Sequence, residues 1–490
     1  MSLWNTIITN LPEVAGPTQK KLSFKEKLKW TLIVLVIFYI LGLMPLYGLA
    51  DNALSQFEYL SILLAANFGS LISLGIGPIV TASIVLQLLN GSGIVKFDLT
   101  SHEGKRNFQG TQKLLAIFFI IFEAAIYVFM GGLSTGSYIN PETGAFLIQA
   151  TPGAVQLSAG TATFMKLFLV LQLIIGGLLI LFMDEVISKW GFGSGISLFI
   201  AAGVSQSIFV QAFNWLPGPG GVSGFTYSVG AIPALFQSLT AGDPKTAIEK
   251  IAAIASTILV FVMAVYAQAM KVEIPLSFGR IRGHGIRWPL SFIYTSNIPV
   301  ILVAALIANF QLWGRLVQNI AGGPTWFAGF SESSGQLISG FVYWIRGPNM
   351  IQTIIQQETL LLGEQYLHAL AYIAFMAAGS IVFSIFWVQT AGMDAKTVAK
   401  QMMSSGLQIP GFRRDERVLE RLLDRYIWPL TVMGGLAVGV LAATADLTGA
   451  LSRGTGILLT VMIVYKLYEE IAQQHMMDMN PLMRKFMGGS

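Results

Sequence analysis

Apolar residues in this chain gather into runs of about 20, the length that carries an α-helix across a bilayer, with polar residues collected between them. Ten spans are predicted, near 28–50, 75–92, 112–134, 162–183, 192–212, 248–270, 289–313, 367–391, 426–446 and 454–474. The second differs from the rest. Between Phe57 and Asn90 two apolar pieces, each too short to cross alone, flank Ser73-Leu74-Gly75-Ile76-Gly77-Pro78. In hydrocarbon every backbone N–H and C=O needs a partner, so irregular backbone at depth must line water or be buried in protein. The break therefore points to a pathway through the molecule.

Composition fits the pattern. Hydrophobic residues make up 54% of the 490 and charged residues 11%, where a soluble domain carries about 25% charge. The expected class is an all-α polytopic membrane protein. Charge then sets its orientation. Lys20, Lys21, Lys25, Lys27 and Lys29 precede the first span, and a cytoplasmic N-terminus puts most of the 30 Lys and Arg inside, as the positive-inside rule requires. Ten spans return the C-terminus to the same side. A polar and basic opening argues against a cleavable signal peptide, and the absence of cysteine removes disulfides and thiolate metal sites.

The outer loops at about 213–246 and 314–366 are poor in charge and rich in Gly, Ser, Thr and Pro, which reads as solvent-exposed connection. The inner loops at about 271–288 and 391–425 are longer and more basic than topology needs. The first alternates in character over Val272–Ile281 and then turns at Gly283-His284-Gly285, as a hairpin does. Arg280, Arg282 and Arg287 lie in it, and Arg413 and Arg414 in the second. Guanidinium groups suit nucleic-acid phosphates, with bidentate contacts and no need to read bases.

An internal repeat is also visible. The fifth span opens with Gly193-Ser194-Gly195-Ile196 and the tenth with Gly454-Thr455-Gly456-Ile457. Five spans apart means opposite orientation, so residues 1–245 and 246–490 are expected to form two inverted, pseudo-symmetric five-helix halves, a device of transport proteins.

Catalysis has little support. His102, His284, His368 and His475 are scattered, and no metal-ligand spacing or phosphate-binding G-x-x-x-x-G-K-[ST] sequence occurs. No cofactor or metal is expected. Glu123 is the one carboxylate deep within a predicted span, where a charge costs about 2.5–3.5 kcal/mol on insertion scales and needs a partner or water. It leaves two readings open: a passive polypeptide channel, or a secondary transporter with Glu123 as its coupling carboxylate. The arginine loops and the lack of a second buried ionisable group favour the channel.

Several motifs, in order along the whole chain, closely resemble the SecY family, the pore subunit of the protein-conducting channel, in its archaeal form. They are Leu74-Gly75-Ile76-Gly77-Pro78-Ile79-Val80-Thr81, Gly193-Ser194-Gly195-Ile196-Ser197-Leu198-Phe199-Ile200, Thr295-Ser296-Asn297-Ile298-Pro299-Val300-Ile301 and Gly454-Thr455-Gly456-Ile457-Leu458-Leu459. Val272-Glu273-Ile274-Pro275-Leu276 and Gly411-Phe412-Arg413-Arg414 fit as well.

The resemblance implies a multi-pass plasma-membrane channel that passes secretory chains across and releases signal peptides and transmembrane segments sideways into the lipid bilayer. It implies a plug half-helix at about Phe57–Phe68, with Leu60, Ile62, Leu63 and Leu64 on it. It also implies a pore ring of Ile76, Val80, Ile196, Ile200, Ile301 and Leu459. Because it brings spans two, three and seven together, it suggests Thr81, Glu123 and Asn297 as a polar cluster at a lateral gate. The expected partners are the ribosome at the arginine loops, a SecE-like subunit and a small single-span subunit, making a heterotrimer.

Overall fold

The computed structural model describes residues 10–18, 22–52, 65–91, 94–95, 97, 101–130, 132–136, 138–140, 146–147, 155–217, 227–278, 285–295, 297–331, 337–357, 363–404, 407–408 and 416–479. Its helices are α1 (Phe24–Leu43), α2 (Gly77–Gly91), α3 (His102–Phe129), α4 (Ala159–Trp190), α5 (Gly195–Phe213), α6 (Ala231–Ala241), α7 (Pro244–Ala269), α8 (Ile298–Ala321), α9 (Phe341–Trp344), α10 (Met350–Gln357), α11 (Gly363–Thr390), α12 (Ala395–Ser404), α13 (Glu416–Leu447) and α14 (Gly454–Met479). The ten predicted spans overlap α1 to α5, α7, α8, α11, α13 and α14, but two bounds are corrected. Residues 289–291 are strand and the helix of the seventh span, α8, starts only at Ile298; the helix of the first ends at Leu43, with 49–50 in strand. Apolar strand residues next to a span extend its hydropathy signal. Among the described residues, seven helices are long and apolar enough to cross a membrane. The other three of the ten are α1, which opens with Lys25, Glu26, Lys27 and Lys29; α14, which carries Lys466, Glu469 and Glu470 from its middle onward; and α2.

Helix α2 has 15 residues, about 22 Å at 1.5 Å per residue, short of the roughly 30 Å hydrocarbon core. The chain before it completes the crossing without helix. Residues 71–76 form successive turns, with Gly69 at φ +95° and Gly75 at φ +56°, where an L side chain is strained. Their polar groups are satisfied locally. Ser73 Oγ accepts from Gly69 N at 2.9 Å, Asn67 Nδ2 donates to Gly42 O at 2.6 Å, and Leu71 N donates to Met44 O at 2.9 Å. The segment presses directly on α4. A Cβ on Gly176 would overlap the Leu71 carbonyl oxygen, and one on Gly177 would crowd Ile120 and Leu74. Two adjacent glycines on α4 thus make room for irregular backbone inside the bundle.

The two Gly-rich helix openings share a second device. Ile196 N, in the first turn of α5, donates to Asp184 Oδ1 of α4 at 3.0 Å. Thr455 N, in the first turn of α14, donates to Asp446 Oδ1 of α13 at 2.7 Å. In each case an aspartate near the end of one helix caps the next, with a glycine (Gly195, Gly454) pressed on the preceding backbone. The connection between α6 and α7 turns at Gly242 and Asp243, so the expected division at 245/246 falls in the first turn of α7.

Most strands are short, and three of them pack into the helical core through Leu133, Phe330 and Leu337. The strands are β1 (Leu49–Asn52), β2 (Leu133–Thr135), β3 (Tyr138–Ile139), β4 (Phe146–Leu147), β5 (Val155–Gln156), β6 (Lys271–Phe278), β7 (Gly285–Ser291), β8 (Gly329–Phe330), β9 (Leu337–Ser339) and β10 (Leu407–Gln408). β6 and β7 form the antiparallel hairpin read from the first basic loop, and β10 of the second loop adds to β6. The two arginine loops are therefore one structure. Helix α12 packs on the base of α13 through Val398, Ala399, Met402, Leu419 and Leu423. The outer loops differ from the simple connections expected. They contain α6, α9, α10 and the β8–β9 hairpin, because their Pro/Gly punctuation separates short elements rather than unstructured chain.

Replacing Gly176 with Val is expected to destabilise the detergent-solubilised protein by about 1–3 kcal/mol through overpacking. Gly160→Val, where the added carbon meets nothing within 4 Å, is the control. Thermal unfolding of both variants checks the difference.

Candidate functional site

One buried polar cluster centres on Thr81, in the second turn of α2. Its hydroxyl oxygen accepts from Asn309 Nδ2 of α8 at 2.9 Å. It lies 2.8 Å from the Gly77 carbonyl oxygen and 3.3 Å from Glu123 Oε1 of α3. A hydroxyl has one proton, so Thr81 donates to the helix carbonyl or to Glu123, one at a time. The other carboxyl oxygen, Glu123 Oε2, has no hydrogen-bond partner among the described residues. Thr81, Glu123 and Asn309 are 5%, 1% and 3% exposed, so three helices meet at a polar point sealed from solvent.

The expected third member, Asn297, lies elsewhere. It is buried at the N-cap of α8, twelve residues before Asn309 and therefore about 18 Å away along the helix. The structure brings Thr81 and Glu123 together and supplies Asn309 as the third group. A depth signal was present in the chain. Asn309 lies mid-way along a 24-residue helix, where an intramembrane polar residue is expected to face the bundle interior, whereas Asn297 precedes its first turn.

The seam between α2/α3 and α8/α11 has two further closures. At one end Phe386 of α11 lies against Gly91, where a Cβ would overlap its ring. At the other, Asn319 Nδ2 of α8 donates to the Met130 carbonyl that ends α3, at 3.3 Å. Helix α2 packs on α3, α8 and α11.

Of the ring residues, Ile76, Val80, Ile200, Ile301 and Leu459 belong to one continuous buried apolar cluster, and Ile196 is half-buried against it. Helix α5 packs on α14 and α2 on α8, so Ile200 is on a helix beside that of Leu459, and Val80 on a helix beside that of Ile301; Ile76 immediately precedes α2. Val80 follows Ile76 by one turn, its N–H donating to the Ile76 carbonyl at 3.0 Å.

Of the plug residues, Phe57, Leu60, Ile62, Leu63 and Leu64 lie outside the described residues; Phe68 is half-buried against the main core. A cavity of about 370 Å³ opens between α1, α5 and residues 65–72, lined by Phe38, Ala65, Asn67, Ile72, Ser207 and Gln211. Arg280, Arg282, Arg413 and Arg414 lie outside the described residues. The backbone of Arg287 sits on β7 opposite Pro275 of β6.

A helical bundle with a buried non-helical crossing and a largely apolar interior fits a membrane channel. The expectation that Glu123 has no second buried ionisable group for company is corrected: Asp446 is also buried, held by Tyr372 and Thr455, because it caps the start of α14 from inside the bundle. The SecY family model matches residues 70–468. The protein translocase subunit SecY of Methanothermobacter thermautotrophicus is 45% identical over 489 residues, covering 98% of this chain and 97% of that protein. A solved structure of a protein conducting channel aligns with TM-score 0.76 and 40% identity, over 96% of this chain and 97% of that one. Sec61 in the canine ribosome–channel complex from the endoplasmic reticulum aligns with TM-score 0.73 and 39% identity, with the same coverage. The chain belongs to the SecY family.

If Thr81 and Asn309 form one junction, their substitutions are coupled. Thr81→Val and Asn309→Leu, combined, should depart from additivity by about 0.5–3 kcal/mol in the apparent free energy of signal insertion. Thr81→Val with Asn297→Leu should add within about 0.5 kcal/mol. A graded series of signal hydrophobicities, scored for each variant, measures both.

Proposed function

We propose that the α2–α3–α8 junction is a lateral gate and that apolar surfaces of α2, α5, α8 and α14 enclose a pore for unfolded polypeptide. The chain is the protein-conducting subunit of a translocase in the plasma membrane, a passive channel rather than an enzyme. The observation that carries the gate is the Thr81–Asn309 hydrogen bond, with Glu123 beside it, buried at mid-depth of the seam.

Magnitudes favour a seam that parts. Hydrogen bonds between membrane helices average about 0.6 kcal/mol and reach about 1.7 kcal/mol. Each Leu or Ile of an arriving signal gains about 0.3–0.6 kcal/mol in the bilayer. A few apolar residues therefore offset the junction, and a polar segment cannot. An apolar constriction resists ions by dewetting while giving a passing chain no strong binding site, which suits Ile76, Val80, Ile196, Ile200, Ile301 and Leu459. The segment Phe57–Phe68 acts as the plug that stops the pore at rest. Residues 1–245 and 246–490 act as the two halves that move apart, an arrangement supported by the paired Asp184 and Asp446 caps.

The channel works as a heterotrimer with a SecE-like subunit and a small single-span subunit. The ribosome docks on the joined arginine loops, its RNA phosphates meeting Arg280, Arg282, Arg287, Arg413 and Arg414, and translation supplies the driving energy. In proteoliposomes, ribosome-bound chains with a signal are expected to become protease-protected, and chains with a polar replacement to stay outside. Arg280→Glu with Arg413→Glu should weaken ribosome binding at moderate salt. It should also flatten the log–log salt dependence by about one for each phosphate that is no longer neutralised. Unchanged affinity and slope would overturn the docking assignment.

A further inference from the structure

Helix α6 joins α5 to α7 and has eleven residues, Ala-Ile-Pro-Ala-Leu-Phe-Gln-Ser-Leu-Thr-Ala, none of them charged. Its faces are the reverse of those on a water-exposed amphipathic helix. The face toward the protein is small, with Ala231, Ala234 and Ser238 buried. The outward face carries Phe236 at 62% and Leu239 at 60% exposure, and Ile232 and Leu235 lie half-buried on it at i, i+3, i+4 spacing.

This face is held in place rather than frayed. Gln237 Oε1 accepts from Ser228 N at 2.7 Å while its Nε2 donates to Ser228 Oγ at 2.8 Å. Gly230 N donates to Asn214 O at 2.8 Å, tying the helix start to the end of α5. At the other end Gly242, at φ +72°, stops the helix, and Asp243 Oδ1 accepts from Lys245 N and Thr246 N at the start of α7.

The surface on either side is exposed and largely apolar. Phe209 and Phe213 are exposed at the end of α5, Trp215 follows at 73% exposure, and Ile248 and Ile251 are exposed at the start of α7. Helix α6 packs on both spans, so its apolar face adjoins their exposed apolar side chains. Tryptophan at such a boundary is the side chain expected at headgroup level.

We propose that α6 lies in the outer headgroup boundary of the bilayer, with Phe236 and Leu239 among the upper acyl carbons. Its occupant is phospholipid. The placement is independent of the gate and pore assignments. Where the two-half reading also holds, α6 is the connection between the halves, and its anchorage fixes that connection to the membrane while a different set of helices parts.

The chain has no cysteine, so Phe236→Cys and Leu239→Cys each give it a single site for a nitroxide label. The variants are studied in the complete complex, reconstituted in phosphatidylglycerol–phosphatidylcholine vesicles. Ile258→Cys, exposed in mid-span on α7, is the lipid control, and Lys245→Cys is the aqueous control. Labels at 236 and 239 are expected to collide with oxygen far more than with a water-soluble nickel chelate, at a ratio between the two controls and nearer that of Ile258→Cys. A ratio equal to that of Lys245→Cys overturns the proposal. Shielding from both reagents also overturns it, and assigns the face to a protein partner.

Discussion

The structure depends on one constraint: irregular backbone held at membrane depth must have every polar group satisfied by protein. Residues 65–76 meet it through turns that bond to one another and to Gly42 and Met44, and through burial against Gly176 and Gly177. Because that segment is not helix, α2 can be short and can begin beside Ile76. The shortness of α2 puts Thr81 near its start and Gly91 at its end, the two points where it meets α8 and α11. Crossing, pore surface and seam are consequences of a single local solution.

The seam shows how a membrane protein stays closed without being locked. Its interior is largely apolar, and lipid competes well with apolar packing, so packing alone gives little preference for the closed arrangement. A few polar contacts set the balance instead. Thr81 shares its proton between a helix carbonyl and Glu123 while accepting from Asn309, so the junction can rearrange without leaving the hydroxyl unpaired. Weak bonds that are easily exchanged suit a gate that must respond to a few additional apolar residues in its ligand.

The helical spans were legible in the sequence because each is long and apolar, and the Gly-Pro break announced α2. The pairing of β6 with β7 was legible from the alternation that begins at Val272; Gly283 and His284 of the expected turn lie outside the described residues, and Gly285 begins β7. The pairing of β6 with β10 was not legible, since two residues carry no periodic signal. Asn297 drew attention through its motif, yet Asn309 meets Thr81; the motif marked a helix start, and only the helix axis told how deep each residue would lie. Helix α6 was hidden in a loop poor in charge, because an outward face of Phe236 and Leu239 reads as noise until its small inner face is seen. The aspartate caps were equally hidden, since Asp184 and Asp446 sit near span ends where charge is ordinary.

The most direct test of the channel is site-specific photo-crosslinking to a stalled ribosome–nascent chain that carries a signal sequence. Probes at Ile76, Ile200 and Ile301 report the pore, one at Asn309 reports the seam, and one at Ile258 reports lipid. Crosslinks are expected from the three pore positions to the mature part of the chain, from Asn309 to the signal, and none from Ile258. Silence at all four interior positions, in folded protein with ribosomes bound, would contradict a polypeptide path through this interior.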